Sequence, residues 1–294
     1  IKMENLRRIL FMILAMAGFA CEDLFIKILS ENLPISEIIM ILGFSGSVIF
    51  LIIGLFTKAP IFHRDLLSIP IIVRTLCELF GALFFVLAIA LTPLSSASAI
   101  IQVMPLLVTI GAALIFKEKV GWRRWTAVFV GFLGVLLILR PGFGSFMPAS
   151  IFALLGATFL AGRDLATRAI EVQLPSVTIS LYAFLAFGLS GIIIIPFSSE
   201  MLIPSSNDFL YFAGASAFGV IAYYSIVIAA RTGEMSVISP FRYSRLVFAM
   251  LLSIIVLSER PDMMTLLGAT IIVASGVYTF VRENVLSKSK ERVA

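Results

Sequence analysis

Several charged side chains lie deep inside apolar stretches of the sequence, where they could bind a charged small molecule. Glu22 and Asp23 interrupt the apolar run from Ile9 to Leu29, and Arg163 and Asp164 interrupt another run 141 positions later. A charge at the centre of a bilayer costs about 2.5–3.5 kcal/mol on insertion scales, so such a group needs a cavity or a partner. Carboxylates suit an ammonium or sulfonium group, whereas guanidinium groups suit a carboxylate or a phosphate.

Two arginines in the last third of the chain give the sharpest functional signal. Arg242 and Arg245 stand three residues apart, with no acid close to them in sequence. Two guanidinium groups on one helix face repel each other unless something negative compensates them. We expect either direct binding of an anionic cargo group or a buried network that closes a cytoplasmic gate. The acids that could complete such a network are Glu22, Asp23, Glu78 and Asp164.

Other polar groups in the apolar stretches have structural alternatives. Arg74 and Glu78 are spaced i,i+4 and can pair within one helix, as can Asp23 and Lys27. Arg168 lies near the end of its run, which favours an anchoring role. We predict no catalytic, cofactor-binding or metal-binding residue. The predicted substrate-binding set consists of Glu22, Asp23, Arg74, Glu78, Gln102, Arg163, Asp164, Tyr223, Arg242 and Arg245.

The composition places these residues in a membrane. Of 294 residues, 60% are hydrophobic and 13% are charged, which is more apolar surface than a soluble domain can bury. The net charge of +5 is scattered, without the basic stripe that nucleic-acid binding requires. A helix needs about 20 apolar residues to cross a bilayer. Ten stretches qualify: 8–29, 35–56, 69–91, 94–116, 122–140, 148–169, 176–197, 208–230, 235–257 and 262–281. The tail from 282 to 294 is expected to be frayed.

The lysines and arginines of the loops concentrate on one side of the predicted membrane. Both chain ends and alternate loops carry most of them, with "KEKVGWRR" at 117–124 as the strongest anchor. The other loops hold only Arg140 and Arg260, together with several acids. The positive-inside rule therefore predicts a multi-pass protein of the cell inner (cytoplasmic) membrane with both termini in the cytoplasm.

One fixed offset of 141 residues relates the two halves of the sequence. It aligns Pro34 with Pro175, Ser95 with Ser236, and the pair Glu118–Lys119 with Glu259–Arg260, without a gap. We predict two five-helix repeats, residues 1–146 and 147–294. Because five is odd, the second repeat enters the membrane from the other side, and inverted repeats of this kind surround a central site in carriers.

The sequence resembles the drug/metabolite transporter superfamily, specifically its ten-helix EamA-type members. The stretches that carry the resemblance are 74–100, 105–142, "RDLATRAI" at 163–170 and 240–283. The resemblance implies transport of small metabolites such as amino acids, S-adenosylmethionine or riboflavin. Many such relatives have an arginine in the second helix, where this chain reads "ILGFSG" at 41–46.

The function that we predict is secondary transport of a small polar or zwitterionic metabolite, an amino acid or an S-adenosylmethionine-like molecule, by alternating access. No paired-His metal motif, GxSxG, P-loop or Cys/His dyad indicates an enzyme or a cofactor, and no filter-like loop indicates a channel. Proton coupling and exchange both remain open. The alternatives are a carrier of a flat aromatic metabolite such as riboflavin, and a membrane scaffold or receptor that transports nothing.

Overall fold

The computed structural model describes residues 3–118, 120–140, 147–170, 174–232 and 239–291, and these residues form helices and short connections. The α-helices are α1 (Met3–Leu29), α2 (Ile35–Phe56), α3 (Ile69–Leu91), α4 (Leu94–Ile100), α5 (Met104–Ile115), α6 (Trp122–Leu139), α7 (Ser150–Arg168), α8 (Ser176–Ile194), α9 (Ser206–Thr232), α10 (Ser244–Ile255) and α11 (Met263–Glu291). Because α4 and α5 are joined through a 3-10 turn, they count as one membrane span, and the described helices make ten spans.

Length and hydropathy support the membrane assignment directly. Seven spans are long and apolar enough to cross a bilayer: α1, α2, α3, the joined α4–α5 span, α6, α8 and α9. The other three are α7, which carries Arg163, Asp164 and Arg168, and the shorter apolar stretches of α10 and α11. The protein is an all-α, multi-pass membrane protein.

Proline punctuation explains the helix boundaries that the sequence predicted well. Pro34 and Pro175 each occupy the cap position before a helix, with nearly identical extended backbone angles (φ −61°, ψ 140° and φ −57°, ψ 141°). A proline has no amide hydrogen to continue a preceding helix, so it fits where a new helix begins. The predicted stretches 35–56 and 69–91 coincide with α2 and α3.

Two boundary predictions differ from the structure. The fourth stretch is not one continuous α-helix, because Ile101–Val103 form a 3-10 turn just before Pro105. Proline cannot donate the amide hydrogen bond that α-helix would need there. The tail prediction was also wrong: α11 continues as helix to Glu291 instead of ending near residue 281. Its last turns, "RENVLSKSKE", contain good helix formers such as Glu, Leu and Lys.

The backbone repeats itself at the predicted offset of 141 residues. Lys117 and Ser258 both have the left-handed conformation, with φ 53° and 56°. The next residue in each case donates its amide to a carbonyl six positions back: Glu118 to Ala112 at 3.3 Å, and Glu259 to Ser253 at 3.0 Å. The two loops are therefore built alike, and five spans per half place them on opposite faces of the membrane.

Helix packing follows the same two-fold pattern. The offset relates α1 to α7, α2 to α8, α3 to α9 and α6 to α11, and the main pairings are α2 with α8, α6 with α11, α1 with α9, and α3 with α7. The first two pairings join a helix to its own equivalent, and the last two are exchanged by the symmetry. The chain folds as two inverted five-span repeats, and each helix of these pairs packs against the other repeat.

Contacts between loops show which helix ends lie together on each of the two membrane faces of the bundle. On the first face, which we call the basic face, Thr178 bonds to the carbonyl of Pro60, and Arg168 pairs with Glu118. On the opposite face, Glu37 accepts the amide of Leu202. Arg140 and Asp262 also pair on that face, and this hydrogen bond lowers the pKa of Asp262 to about 2.

Glycines allow α2 and α8 to cross closely, and this crossing predicts a matched pair of variants. A Cβ on Gly43 would lie 3.0 Å from the carbonyl oxygen of Phe184 and closer still to the backbone of Gly188. Helix backbones cannot retreat locally, so Gly43→Ala should cost about 1–3 kcal/mol of folding free energy. At Gly54 on the same helix the nearest atom would be 3.5 Å away, which is ordinary contact. Gly54→Ala should therefore leave the melting temperature of the purified protein unchanged. An equal fall in melting temperature in both variants would contradict the close crossing of α2 and α8 at Gly43.

Candidate functional site

Eight charged side chains from both repeats meet within the helix bundle, and we call them the central charge cluster. They come from α1, α3, α7 and the segment where a 3-10 turn, Ser239–Tyr243, leads into α10. Its members are Glu22, Asp23, Arg74, Glu78, Arg163, Asp164, Arg242 and Arg245. The sequence predicted all eight as candidates from their depth in apolar stretches, and the structure shows how they are paired.

Asp23 and Arg245 form the tightest pair of the cluster. Arg245 Nε lies 3.0 Å from Asp23 Oδ2, and Arg245 Nη2 lies 2.8 Å from both carboxylate oxygens. The guanidinium carbon also sits 5.1 Å from the ring centre of Phe19 and 5.0 Å from that of Phe85. A bidentate pair between two aromatic faces fixes α1 to the start of α10. Because Asp23 is only 3% exposed, this pair is a structural joint between the repeats.

Arg163 connects the acids of α3 and α7. Its Nη1 lies 3.1 Å from Glu78 Oε1, and its Nη2 lies 2.8 Å from Asp164 Oδ1. Asp164 is also contacted by Arg242, but only through one longer contact of 3.4 Å. Arg242 is therefore held loosely, whereas Arg163 is fully engaged.

Arg74 and Tyr223 extend the cluster towards α9. Arg74 Nη2 donates to the hydroxyl of Tyr223 at 3.1 Å and lies 3.6 Å from Glu78. Its Nε is buried and has no hydrogen-bond partner among the described residues. A buried donor without an acceptor is costly, so this atom marks a place where a further acceptor would be stabilising.

Glu22 is the one acid of the cluster that makes no ion pair or hydrogen bond within the part of the chain that the structure describes. It is 9% exposed and packs against Gly219 of α9, where a Cβ would come 2.6 Å from Glu22 Oε1. The absence of a side chain at Gly219 leaves room for this carboxyl group. Burial of a charge without a partner is unfavourable, so Glu22 needs a cation or a proton.

A 3-10 segment lies beside the cluster in each repeat. The 3-10 turn Ile101–Val103 and the segment Ser239–Tyr243 fall at overlapping positions under the offset of 141. Gln102 bridges them by donating to the carbonyl of Arg242 at 3.4 Å. Interrupted spans expose backbone polar groups inside the bundle, and membrane carriers use such breaks to bind substrates.

The structure decides several alternatives left open by the sequence. Two of the acids that the sequence offered as partners contact the arginine pair, Asp164 on Arg242 and Asp23 on Arg245, while direct binding of a cargo group stays a prediction. The alternative pairing of Asp23 with Lys27 is wrong. Lys27 instead donates to the carbonyls of Ala90 and Thr92, at 3.2 and 2.8 Å, where the end of α3 approaches α1.

Two further polar groups, the Oγ of Ser98 and the hydroxyl of Tyr243, are buried without a hydrogen-bond partner among the described residues. In the sequence Tyr243 is a neutral polar group within a span, for which core packing is the more common role. Ser98 was missed, because a serine in an apolar helix looks like an ordinary small packing residue. Among the same residues, no three His, Cys, Asp or Glu side chains are grouped so that they could hold a metal ion.

Two inverted five-span repeats with ionised groups between them form an architecture that many membrane carriers share. The EamA-like transporter family matches residues 6–140 and again residues 147–281. The chain therefore belongs to the EamA-like transporter family, within the drug/metabolite transporters, and the family match occurs once in each half.

Similar proteins carry different small molecules. The S-adenosylmethionine uptake transporter of Rickettsia prowazekii is 24% identical over 97% of this chain and 96% of its own length. The riboflavin transporter of Vibrio cholerae is 27% identical over 76% and 75%, and the pseudopaline exporter CntI of Pseudomonas aeruginosa is 26% identical over 91% and 93%. One solved crystal structure, at 18% identity, superposes with a TM-score of 0.64 over 93% of this chain and 98% of that one, which shows the shared fold.

Proposed function

We propose that the protein is a secondary transporter of a zwitterionic metabolite with a cationic centre, of the S-adenosylmethionine or amino-acid class. Alternating access would move the cargo past the central charge cluster, between the two repeats. Similarity to a protein named as an S-adenosylmethionine uptake transporter, over nearly the full length of both chains, supports this class of cargo.

The observation that carries the proposal is that the central charge cluster has free groups that could bind a cationic group and free groups that could bind an anionic group. Glu22 has no partner among the described residues, while Arg74 Nε is unpaired and Arg242 makes one long contact. In our proposal Glu22 holds an ammonium or sulfonium group, and Arg242 with Arg74 holds a carboxylate. Gln102 and Tyr223 line the same region as neutral polar groups.

The paired members of the cluster have a different role in this proposal. Asp23 with Arg245, and Arg163 with Glu78 and Asp164, neutralise one another and position the open groups. Counting the members, four arginines face three paired acids, so the cluster without Glu22 carries one excess positive charge. That excess favours a cargo with an anionic group.

Energy coupling and membrane orientation complete the proposal. We propose a carrier driven by proton coupling or by exchange, without a catalytic step. The loop charges support a cytoplasmic location for both termini in the inner membrane, because Lys58, Arg64 and Lys117 lie on the basic face and α1 begins there. We also propose that the boundary between the two repeats lies between residues 146 and 147.

Replacement of Glu22 by Gln tests the role given to the unpaired acid. We expect transport of S-adenosylmethionine in liposomes to fall at least about tenfold, because one buried charge-assisted contact with the cargo is lost. The folded yield should be unchanged, since Glu22 makes no ion pair or hydrogen bond with the described residues of the empty protein. Glu31→Gln, at an exposed position on the opposite face, is the matched control. Equal transport by Glu22→Gln and Glu31→Gln would remove Glu22 from the site.

A flat aromatic cargo is the second candidate, and one observation favours it. Phe80, Phe84, Phe152 and Phe159 form a row of rings between α3 and α7, with Phe84 and Phe152 nearly parallel at 9° and 6.0 Å between centres. Aromatic rows suit a flat ring system such as that of riboflavin. Saturable transport of riboflavin, together with no transport of zwitterionic metabolites, would favour this candidate over the first proposal. No flux of any metabolite would support the scaffold alternative.

A further inference from the structure

The two faces of the bundle differ at positions that the repeat makes equivalent. On the opposite face, Glu259 accepts the amide of Leu94 at 2.7 Å, and its second oxygen accepts both the amide of Ser95 at 3.1 Å and the hydroxyl of Ser95 at 2.7 Å. The second repeat thus grips the first turn of α4, where free amides and the helix dipole favour an anion.

Lys27 makes a second grip beside the first. Its ammonium group binds the carbonyls of Ala90 and Thr92, the last residues before α4 begins. Lys27 and Glu259 therefore hold the two ends of one short connection, residues 90–95, from both sides. We call this set of contacts the clamp.

The equivalent residues on the basic face are arranged differently. The offset of 141 relates Glu259 to Glu118 and Lys27 to Arg168. Glu118 and Arg168 bind each other at 2.7 Å, with side chains 40% and 50% exposed. Lys117 and Ser258, which precede these two glutamates, share the left-handed conformation, so Glu118 and Glu259 have different partners although their loops begin alike. The residues related to 92–95, which are 233–236, lie outside the described residues.

We infer that the clamp is the gate of the opposite face, and that Glu259 and Lys27 release residues 90–95 and bind each other when that face opens. In inverted-repeat carriers the two faces exchange roles during a cycle, so equivalent residues exchange their contacts. In this inference the ion pair Arg168–Glu118 is the counterpart of the pair that Lys27 and Glu259 form after release. This inference rests on the proposed function, because a protein that transports nothing needs no gate.

The chemistry of the clamp suits a gate. Every bond in it joins a charged group to a neutral backbone or hydroxyl partner, so release leaves no isolated charge once Lys27 and Glu259 pair. Direct pairing of the two groups replaces the lost bonds by an ion pair, and the backbone groups of the connection become accessible to water. Both arrangements therefore give Lys27 and Glu259 a partner, as a gate whose balance a cargo shifts requires.

The inference can be tested without a cargo by measuring how readily a water-soluble reagent reaches a cysteine on the inner side of the clamp. Ala97, one turn beyond the clamp in α4, is completely buried. In a protein with Cys21→Ala and Cys77→Ala, we would introduce Ala97→Cys and measure its reaction with a charged methanethiosulfonate. Glu259→Ala should raise the reaction rate at least about tenfold, because three hydrogen bonds to a charged group are lost. Glu200→Ala, at an exposed acid of the opposite face outside the clamp, should leave the rate unchanged.

A distance measurement secures the test if Glu259→Ala does not fold. Spin labels at the exposed positions Asn32 and Arg260 report the separation of the two sides of the opposite face. Ser95→Ala removes one bond of the clamp and should add a longer-distance population. Unchanged rates and distances in folded variants would overturn the gate, even if transport is observed. Absence of transport with a responsive clamp would instead contradict the proposed function.

Discussion

Replacement of Asp23 by Asn is expected to lower the free energy of unfolding by about 3–5 kcal/mol, because it leaves a buried arginine without its counter-ion. Asp23 is 3% exposed and supplies both oxygens to Arg245. The aromatic rings of Phe19 and Phe85 on Arg245 cannot replace a carboxylate. The loss should appear as a fall in melting temperature and in the yield of monodisperse protein in detergent.

Removal of both charges separates the pair from the general effect of substitution. The double variant Asp23→Leu/Arg245→Met should recover most of the lost stability, since replacing a buried ion pair with apolar residues of similar size is often neutral. Asp65→Asn is the matched control, because the Asp65 side chain is 36% exposed and, among the described residues, its ion-pair partner is His63 in the same loop. If the double variant were less stable than Asp23→Asn, the claim that the unpaired charge of Arg245 causes the loss of stability would be contradicted.

Replacement of Arg242 by Gln is expected to reduce transport by about a hundredfold or more, because a charge-assisted, bidentate contact with the cargo is removed. The effect on folding should be small. Arg242 makes one contact of 3.4 Å to Asp164, and Asp164 keeps its closer bond to Arg163. Counterflow in liposomes, normalised to the amount of folded protein, measures the effect.

Two further arginines serve as controls for Arg242. Arg163→Gln removes partners from both Glu78 and Asp164, so it should lower the folded yield as well as transport. Arg64→Gln, at an exposed position in the turn Arg64–Leu67 on the basic face, removes one positive charge away from the cluster and should keep both folding and flux. Wild-type flux in Arg242→Gln would exclude this residue from the site and leave it a purely structural one.

The helical framework could be predicted because the bilayer imposes strong rules on sequence. Span length, proline positions and the offset of 141 residues were enough to predict α2, α3 and the inverted repeat. The 3-10 turn at Ile101–Val103 could not be predicted as such, because hydropathy does not distinguish a 3-10 turn from an α-helix. Hydropathy does not predict the C-terminal turns of α11, because the residues of these turns are polar.

The candidate site was predictable in its members but not in its pairs. Depth in an apolar stretch selected all eight charged residues of the cluster. Their partners depend on helix rotation and on contacts between residues far apart in sequence, such as Asp23 and Arg245, which are 222 positions apart. Local spacing suggested Lys27 for Asp23, and the structure shows that the carbonyls at the end of α3 satisfy Lys27 instead. Glu259 and Ser95 were noted in the repeat, but their contact is visible only in three dimensions.

Counterflow of labelled S-adenosylmethionine into liposomes that contain the purified protein tests the central claim most directly. The account predicts saturable, ATP-independent uptake driven by unlabelled S-adenosylmethionine inside, and its loss in Arg242→Gln at equal folded yield. Uptake that does not saturate, or that is the same with Arg242→Gln as with the unaltered protein, would contradict a carrier whose cargo binds at the charge cluster between the repeats.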